Sequence, residues 1–287
     1  MLNVEKYTII EKTSLKKRYY SEKGGIMENL KINCEKVVDF IISFLKEEIN
    51  RGGVNLAVFE LSGGIDSSVV ATLCKMALGK NNTFGIILPY KDTPKESVDL
   101  AYSAGRKIGI RYMRFNITPQ IDYYYRNFPQ AGRTRRQNKM ARERMSILYD
   151  LAFHFNGVVV GKSNKSEIYL GEGTIYGDFA YDINPIADLY KTQIFQLAEY
   201  LKIPQEIIEQ KKEIKIGEEN SVPYQIVDSV IYYYVEKGMK PSDISSTINL
   251  KETDVKKIID KINKSENMRK QPLIAKIPDE IKYFKSS

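Results

Sequence analysis

The chain has few of the residues on which disulfide, zinc and thiol chemistry depend. Its 287 residues include only two cysteines, Cys34 and Cys74, and a single histidine, His154. The cysteines lie in separate helical patterns rather than in a Cys-x-x-Cys motif, which disfavours a disulfide framework or a zinc site and predicts a cytoplasmic protein. His154 stands between two phenylalanines near the end of a predicted helix, and we interpret all three residues as structural.

Long apolar segments are also absent. No run of about 18 or more apolar residues occurs, so we expect no membrane span. The N-terminus lacks the apolar region of a signal peptide, which agrees with a cytoplasmic location. With 43% hydrophobic and 28% charged residues, the chain can bury a substantial core, as one large domain or as a domain with appendages.

Basic residues outnumber acidic ones, and the formal net charge is +8. Such a charge suits polyanionic partners, including nucleotides and RNA, but a lysine-rich surface accounts for it equally well. Residues 244–262 resemble a helix-turn-helix, although short helix pairs are far more often packing elements than DNA readers. We therefore expect no nucleic-acid partner.

Apolar strands alternate with helical patterns, which indicates an α/β fold: a doubly wound parallel sheet with helices on both faces, followed by C-terminal helices. We divide the chain into an N-terminal extension (1–28), a core (29–204) and a helical C-terminal part of the same domain (205–287). The predicted strands are residues 54–61, 83–88, 111–116 and 157–161. The main predicted helices are residues 32–49, 95–108, 137–155, 192–201, 205–210, 224–236, 241–248 and 253–265.

A glycine turn joins the first predicted strand to a helix. Its backbone amides and the positive end of the helix dipole suit an anion, and the glycines allow a phosphate to approach the backbone. Asp66 adds a carboxylate that can hold Mg²⁺ beside phosphates. The Walker A pattern is absent, which disfavours a kinase or GTPase loop. The predicted phosphate-binding turn is Leu61-Ser62-Gly63-Gly64-Ile65-Asp66-Ser67-Ser68.

A second polar segment follows the strand predicted at 157–161. Its residues run from Gly161 to Glu167, and they should reach the same edge of the sheet as the glycine turn, where ligands bind in such folds. Glu167 is our candidate for a second Mg²⁺ carboxylate, opposite Asp66. The alternative is a carboxylate that caps a helix or faces solvent.

The long predicted helix carries a third polar set. Asn138 and Arg142 are four residues apart and share one face of that helix, while Arg144 points elsewhere. The alternative is an amphipathic helix with solvated arginines.

The glycine turn resembles the SGGxDS pyrophosphate loop of the N-type ATP pyrophosphatases. Three further segments resemble the NAD synthetase family in particular. The first is Asn138-Lys139-Met140-Ala141-Arg142-Glu143-Arg144-Met145. The second is Gly161-Lys162-Ser163-Asn164-Lys165-Ser166-Glu167. The third begins at Gly173-Thr174-Ile175-Tyr176-Gly177-Asp178 and continues through Asp182-Ile183-Asn184-Pro185-Ile186-Ala187-Asp188-Leu189-Tyr190-Lys191-Thr192-Gln193.

The resemblance implies a dimeric ligase that uses ATP, Mg²⁺ and ammonia. The nicotinate carboxylate of deamido-NAD attacks the α-phosphorus of ATP, and ammonia then displaces AMP. The substrate carboxylate and ammonia are the nucleophiles, so no Ser–His or Cys–His pair is required. It also implies site roles: catalysis by Asp66 and Lys191, ATP binding by residues 61–68, Lys162 and Lys191, Mg²⁺ binding by Asp66 and Glu167, and substrate binding by Asn138, Arg142, Asp178 and Asp182.

Several positions depart from the family pattern. Glu60 replaces a glycine before the turn, Lys162 replaces a threonine, and Ile175 replaces a lysine. Residues 211–220 form a shorter, charged stretch than expected, and Asn267-Met268-Arg269 stands where many members have His-Lys-Arg. The magnesium–pyrophosphate half of the site is therefore intact, while contacts with adenosine and the dinucleotide are altered.

These departures leave other functions open. One is a related ATP-dependent amide ligase that adenylates a different small carboxylic acid. Another is RNA modification, of which thiolation would require a cysteine pair that is missing, whereas lysidine formation would not. A third is a nucleotide-binding module without turnover, against which Asp66, Glu167 and Lys191 argue.

Overall fold

The computed structural model describes residues 28–209, 213–216, 220–270, 272 and 274–282. The predicted N-terminal extension, apart from its last residue, lies outside this range. Among the described residues, no helix has the length and apolar character needed to cross a bilayer.

Four parallel strands form the central sheet, as the alternation of strands and helices predicted. They are β1 (Leu56–Glu60), β2 (Thr83–Ile87), β3 (Arg111–Arg114) and β4 (Gly157–Val159), in the spatial order β3-β2-β1-β4. Each predicted strand exists but is shorter than predicted or ends earlier. β1 ends before Leu61 and β4 ends before Gly161, which are the first residues of the two polar segments.

The helices that cover the sheet and form the C-terminal part follow the predicted order. In the core they are α1 (Cys34–Arg51), α2 (Ile65–Leu78), α3 (Lys95–Ile108), α4 (Thr118–Tyr125), α5 (Arg133–His154), α6 (Lys165–Leu170), α7 (Lys191–Tyr200) and α8 (Gln205–Ile208). In the C-terminal part they are α9 (Tyr224–Ile231), a π-helical turn (Tyr232–Glu236), α10 (Pro241–Ile248), α11 (Glu252–Lys264), α12 (Glu266–Arg269) and α13 (Asp279–Lys282). Single 3₁₀ turns occur at Glu28–Leu30 and Lys80–Asn82.

Strand β1 shows how the core is divided between the two faces of the sheet. Ala57 and Phe59 pack into a cluster with α1, α2 and α7, while Leu56 and Val58 pack into a cluster with α4 and α5. Successive side chains of a strand point to opposite faces, so an apolar strand covered on both sides has this double packing. The edge strand β3 differs, since its two terminal arginines are exposed.

The C-terminal part has its own apolar cluster, built mainly from α9, α10 and α11. It includes an antiparallel hairpin that the sequence did not predict, β5 (Glu213–Ile216) with β6 (Asn220–Pro223). Ile214 and Ile216 are buried in this cluster. In a strand alternate residues share a face, so two isoleucines separated by one residue turn the charged stretch into a half-buried strand. The domain boundary at residue 204 stays a prediction.

Candidate active site

The glycine turn between β1 and α2 is fixed by close packing against α3. Gly63 has φ +82°, and a Cβ placed there would lie 2.5 Å from the carbonyl oxygen of Ser97 and 2.7 Å from the amide nitrogen of Ala101. Only glycine satisfies both constraints without moving the helix. Gly64 precedes α2 and makes no side-chain cap bond, so the helix N-terminus is left to an external anion.

The serines of this turn stabilise the turn itself. The hydroxyls of Ser67 and Ser68 each donate to the carbonyl oxygen of Gly64 at 2.9 Å, and both side chains are buried. The hydroxyl of Ser62 donates to the Ser67 hydroxyl at 3.2 Å. The ATP-binding role implied for these residues remains a prediction, while the hydrogen bonds show that their hydroxyls hold the turn together.

A lysine lies between the two predicted magnesium carboxylates. The ammonium group of Lys191, at the start of α7, forms an ion pair with Asp66 and lies 3.7 Å from Oε1 of Glu167. Asn164 donates from Nδ2 to Oδ1 of Asp66 at 2.8 Å, which joins the segment after β4 to the glycine turn. The expectation that these two segments meet at one edge of the sheet is therefore confirmed.

Charge and burial control the protonation of this group. Lys191 is buried, with 6% exposure, which opposes its charge, but Asp66 and Glu167 outweigh burial and raise the pKa of Lys191. Burial and the neighbouring Asp66 raise the pKa of Glu167 to about 7, although Lys191 and Lys162 oppose that rise. The two carboxylates thus share a single close ammonium group, and their mutual repulsion together with burial disfavours the ionised form of Glu167.

The repulsion between these two carboxylates and the chemistry of the donors fit Mg²⁺. Carboxylate oxygens are the ligands that Mg²⁺ prefers, and two of them suffice when phosphate oxygens and water complete the octahedron. Among the described residues, no cluster of three or more His, Cys, Asp or Glu side chains could form an all-protein metal site. Asp66 and Glu167 are therefore suited to a metal ion that arrives with a nucleotide.

Glu167 also caps α6. Its Oε2 accepts from the backbone amide of Asn164 at 3.2 Å, and Oδ1 of Asn164 accepts from the backbone amide of Glu167 at 3.0 Å, forming a capping box. The sequence left open whether this glutamate faces the site or caps a helix. It does both, because the cap fixes one oxygen and leaves Oε1 facing Lys191.

Two residues that depart from the family pattern pair with each other. Nζ of Lys162 lies 3.2 Å from Oε2 of Glu60, and Nε of Arg144 lies 3.5 Å from Oε1 of the same carboxylate. Burial opposes ionisation of Glu60, but Lys162 and Arg144 outweigh it and hold the pKa of Glu60 below its usual range. Glu60 in turn raises the pKa of Lys162. Arg144 also donates to the carbonyl oxygen of Leu88, away from the face that carries Arg142, as predicted.

The predicted substrate-binding residues on α5 contact one loop. Oδ1 of Asn138 accepts from the hydroxyl of Thr174 at 3.0 Å, and Arg142 donates to the carbonyl oxygen of Ile175 at 3.1 Å. Oδ2 of Asp178 accepts from the amide of Thr174 at 2.9 Å. The structure therefore brings these three residues together through the loop around Thr174.

Asp182 lies against the sheet rather than in this loop. Its Oδ2 accepts from the backbone amide of Val159 at 2.8 Å. Burial and the neighbouring Asp182 raise the pKa of Tyr149 to about 12. Asp182 thus has a structural role in joining the loop to β4, and its predicted contact with substrate stays a prediction.

Sequence analysis missed a buried aspartate behind the site. Asp228, on α9, is fully buried and accepts hydrogen bonds from Ser166 and Thr192, the neighbours of Glu167 and Lys191. A signal was present: Asp228 is the only charged residue in the apolar helix Tyr224–Ile231. A lone carboxylate in such a helix requires partners from elsewhere in the fold.

Comparison with known proteins gives a consistent result. A model of the NAD synthase family matches residues 37–272. An NH3-dependent NAD+ synthetase of Fusobacterium nucleatum is 42% identical over 257 residues, which cover 88% of this chain and 99% of that protein. A protein of the same name from Methanocaldococcus jannaschii is 38% identical over 250 residues, covering 84% of this chain and 96% of that protein.

Solved structures show the same relation. The NH3-dependent NAD synthetase of Campylobacter jejuni, in complex with nitrate, superposes with a TM-score of 0.75 at 29% identity, covering 86% of this chain and 100% of that chain. An NMN synthetase of Francisella tularensis superposes with a TM-score of 0.69 at 25% identity, with the same coverage.

Proposed function

The chain belongs to the NAD synthase family, and on that premise we propose that it converts deamido-NAD to NAD with ATP and ammonia. The observation that carries the proposal is the Asp66–Lys191–Glu167 group, which lies beside an open helix N-terminus at the carboxyl edge of the sheet. The retained charge of this group fits a nucleotide-using ligase better than a binding module without turnover.

In the proposed reaction the nicotinate carboxylate of deamido-NAD attacks the α-phosphorus of ATP. The bond from that phosphorus to the bridging oxygen breaks, which gives an acyl adenylate and pyrophosphate. Ammonia then attacks the acyl carbon, AMP leaves with its electron pair, and the nitrogen loses a proton to give the amide. Both nucleophiles come from substrates, so the protein has to orient the reactants and balance charge.

Each part of the site has a task in this scheme. The amides at the start of α2 and the ammonium group of Lys191 bind the phosphates of ATP. Asp66 and Glu167 would hold Mg²⁺, which supplies positive charge to the departing pyrophosphate. We assign ATP binding to residues 61–68 and to Lys162, which lies beside the turn in its pair with Glu60.

Binding of deamido-NAD is assigned to the loop around Thr174 and to α5. Asn138, Arg142 and Asp178 meet at this loop, and Asp182 joins it to β4. Tyr176 in the loop is two-thirds exposed and has φ +60°, an uncommon conformation for a residue other than glycine. Such strain is often found at ligand sites, which supports the assignment.

The proposal extends to a cytoplasmic homodimer. Tyr149 and Phe153 lie four residues apart on α5 and are both exposed, Phe153 by 90%. Exposed aromatic residues on one helix face are typical of a surface that pairs with another protein.

The proposal is tested by pyrophosphate release from purified protein given ATP, Mg²⁺, ammonium and one carboxylic acid at a time. Release that requires deamido-NAD is the expected result. Release with nicotinic acid mononucleotide or another small acid, but not with deamido-NAD, would instead support the related amide ligase.

RNA modification is tested separately, with a tRNA gel shift in a salt series. The net charge of +8 should give only weak binding that disappears as salt rises towards physiological strength, because it is not concentrated in a recognised RNA-binding motif.

A further inference from the structure

Asp228 makes a complete set of hydrogen bonds to the two segments that carry the site. Oδ1 of Asp228 accepts from the hydroxyl of Ser166 at 2.5 Å. Oδ2 accepts from both the amide and the hydroxyl of Thr192, each at 2.9 Å. The side chain has no exposure to solvent. A buried carboxylate in an apolar helix is costly unless it is satisfied in this way.

These bonds cap α7 from outside. The first amides of a helix have no partner within the helix. In α7 the amide of Lys191 donates to the hydroxyl of Ser166 at 2.8 Å, and the amide of Thr192 donates to Asp228. The Ser166 hydroxyl therefore relays between Asp228 and Lys191. The direction in which α7 begins depends on a residue of another element.

The same bonds connect the two functional side chains. Ser166 is adjacent to Glu167 on α6, and Thr192 is adjacent to Lys191 on α7. Successive helix residues point in different directions, so one member of each pair contacts Asp228 and the other contacts the site. One carboxylate thus holds the starts of both helices.

We propose that Asp228 is a positioning residue for the adenylation reaction, fixing Lys191 and Glu167 relative to each other through Thr192 and Ser166. The inference rests on the proposed function, since it assumes that Lys191 and Glu167 act on ATP and its metal. Asp228 itself touches no substrate. Its effect is to set the geometry of the groups that do.

The positioning role of Asp228 requires a carboxylate rather than an amide. Asp228 faces donors at both oxygens, and an asparagine would present an amide NH₂ to one of them. Burial raises the pKa of Asp228 to about 6, while the bonds from Ser166 and Thr192 oppose that rise. At neutral pH it therefore serves as an ionised acceptor on both sides.

Glu236 provides a matched control. It lies at the end of the π-helical turn that follows α9, accepts from Lys165 at 2.6 Å and from the Tyr190 hydroxyl at 2.7 Å, and so bridges the same two segments. Its side chain is one-third exposed, and it makes contacts with side chains only. Asp228 caps α7 by accepting from a backbone amide, whereas Glu236 does not.

The test compares Asp228→Asn with Glu236→Gln in the pyrophosphate-release assay with deamido-NAD. A displacement of about 1 Å in a reacting group costs about 100-fold in rate, so Asp228→Asn should lower kcat by about 30- to 100-fold. The KM for ATP should change by less than about threefold, since substrate contacts remain. Glu236→Gln should leave both constants within about threefold of the wild type.

A third variant separates positioning from stability. Val230→Ala removes a fully buried side chain from the same helix, so it should lower Tm without lowering kcat of the folded enzyme. The inference is wrong if the loss of activity in Asp228→Asn is fully explained by a smaller folded fraction. In that case kcat per folded molecule would equal the wild-type value, as expected for Val230→Ala. A wild-type enzyme that is inactive with deamido-NAD would refute the proposed function instead.

Variants of the partners cover the case in which Asp228→Asn does not fold. Ser166→Ala removes the relay to the Lys191 amide, whereas Thr192→Val keeps the Thr192 amide bond to Asp228. Ser166→Ala should therefore lower kcat more than Thr192→Val, and hydrogen exchange at the Lys191 amide should accelerate in Ser166→Ala. Equal effects of both variants on kcat, with unchanged exchange, would overturn the inference.

Discussion

At the scale of single residues, the site depends on one buried lysine between two carboxylates. Lys191 pairs with Asp66 and approaches Glu167, and it has 6% exposure. Without bound nucleotide, its ammonium group limits the repulsion between the carboxylates. In the proposed complex with nucleotide, the same group would meet phosphate charge, so removing it should lower the rate.

Lys191→Met should lower kcat for pyrophosphate release by at least about 100-fold, because a fixed cation aimed at developing charge typically contributes that much. Lys107→Met is the control, since Lys107 is exposed and pairs with Glu206 away from the site. We expect wild-type kcat for the control. A kcat for Lys191→Met within tenfold of the wild type would contradict the assignment.

The pair Glu60–Lys162 should behave as one unit in stability measurements. Lys162→Met leaves the mostly buried Glu60 with only Arg144, so Glu60 loses one hydrogen-bond partner at a cost of about 1–3 kcal/mol in the free energy of unfolding. Glu60→Gln/Lys162→Met should recover part of that loss, because no mostly buried carboxylate is left short of a partner and Arg144 keeps its bond to the carbonyl oxygen of Leu88. Urea unfolding measures the free energy of unfolding of the single variants and the double variant. The control is Lys257→Met, at an exposed ion pair, whose free energy of unfolding should lie within about 0.5 kcal/mol of the wild type. The residues are independent if the loss in the double variant equals the sum of the losses measured for Glu60→Gln and Lys162→Met singly.

At the scale of elements, the sequence predicted those parts of the site that follow directly from strand–turn–helix patterns. Asp66 follows β1, and Glu167 follows β4, so the parallel sheet brings them to one edge. Asp228 was missed because it comes from a helix of the C-terminal part, and its partners are set by tertiary packing. The hairpin β5–β6 was missed because two isoleucines in a charged stretch give too short a pattern to indicate a strand.

The glycine turn gives a prediction for one element. Gly63→Ala adds a Cβ that meets the backbone of α3, whereas Gly79→Ala, at the same φ of +82°, meets nothing within 4 Å. Gly79→Ala should cost about 1–3 kcal/mol from its backbone conformation alone, because φ +82° with ψ 165° is a region essentially restricted to glycine. Gly63→Ala should cost more and should weaken ATP binding as measured by calorimetry. Equal losses of stability and unchanged ATP affinity would show that the contact with α3 is unimportant.

At the scale of the whole molecule, the α/β architecture and the family were predictable from the sequence. Apolar strands alternate with helices along the chain, and the polar segments that follow β1 and β4 both lie at the carboxyl edge of one parallel sheet. The pairing of Glu60 with Lys162 was not predictable, since the two positions are distant in sequence and each looked like an isolated departure. Their contact follows from the neighbouring positions of β1 and β4 in the sheet.

The number of chains in the assembly is a further property of the whole molecule. Light scattering should give about twice the chain mass of 33.0 kDa, because Tyr149 and Phe153 on α5 are exposed and we propose that a second copy covers them. Phe153→Lys should shift the protein towards monomer, while Phe40→Lys, at an exposed site on α1, should not. A monomeric wild-type protein at micromolar concentration would contradict this part of the proposal.

The central claim is the amidation of deamido-NAD, and transfer of isotopic nitrogen tests it most directly. Purified protein is incubated with deamido-NAD, ATP, Mg²⁺ and ¹⁵N-ammonium, and the products are identified by mass spectrometry. We expect NAD that carries one ¹⁵N in its carboxamide, together with AMP and pyrophosphate in equal amounts. Absence of labelled NAD from protein that binds ATP and is fully folded would contradict the account.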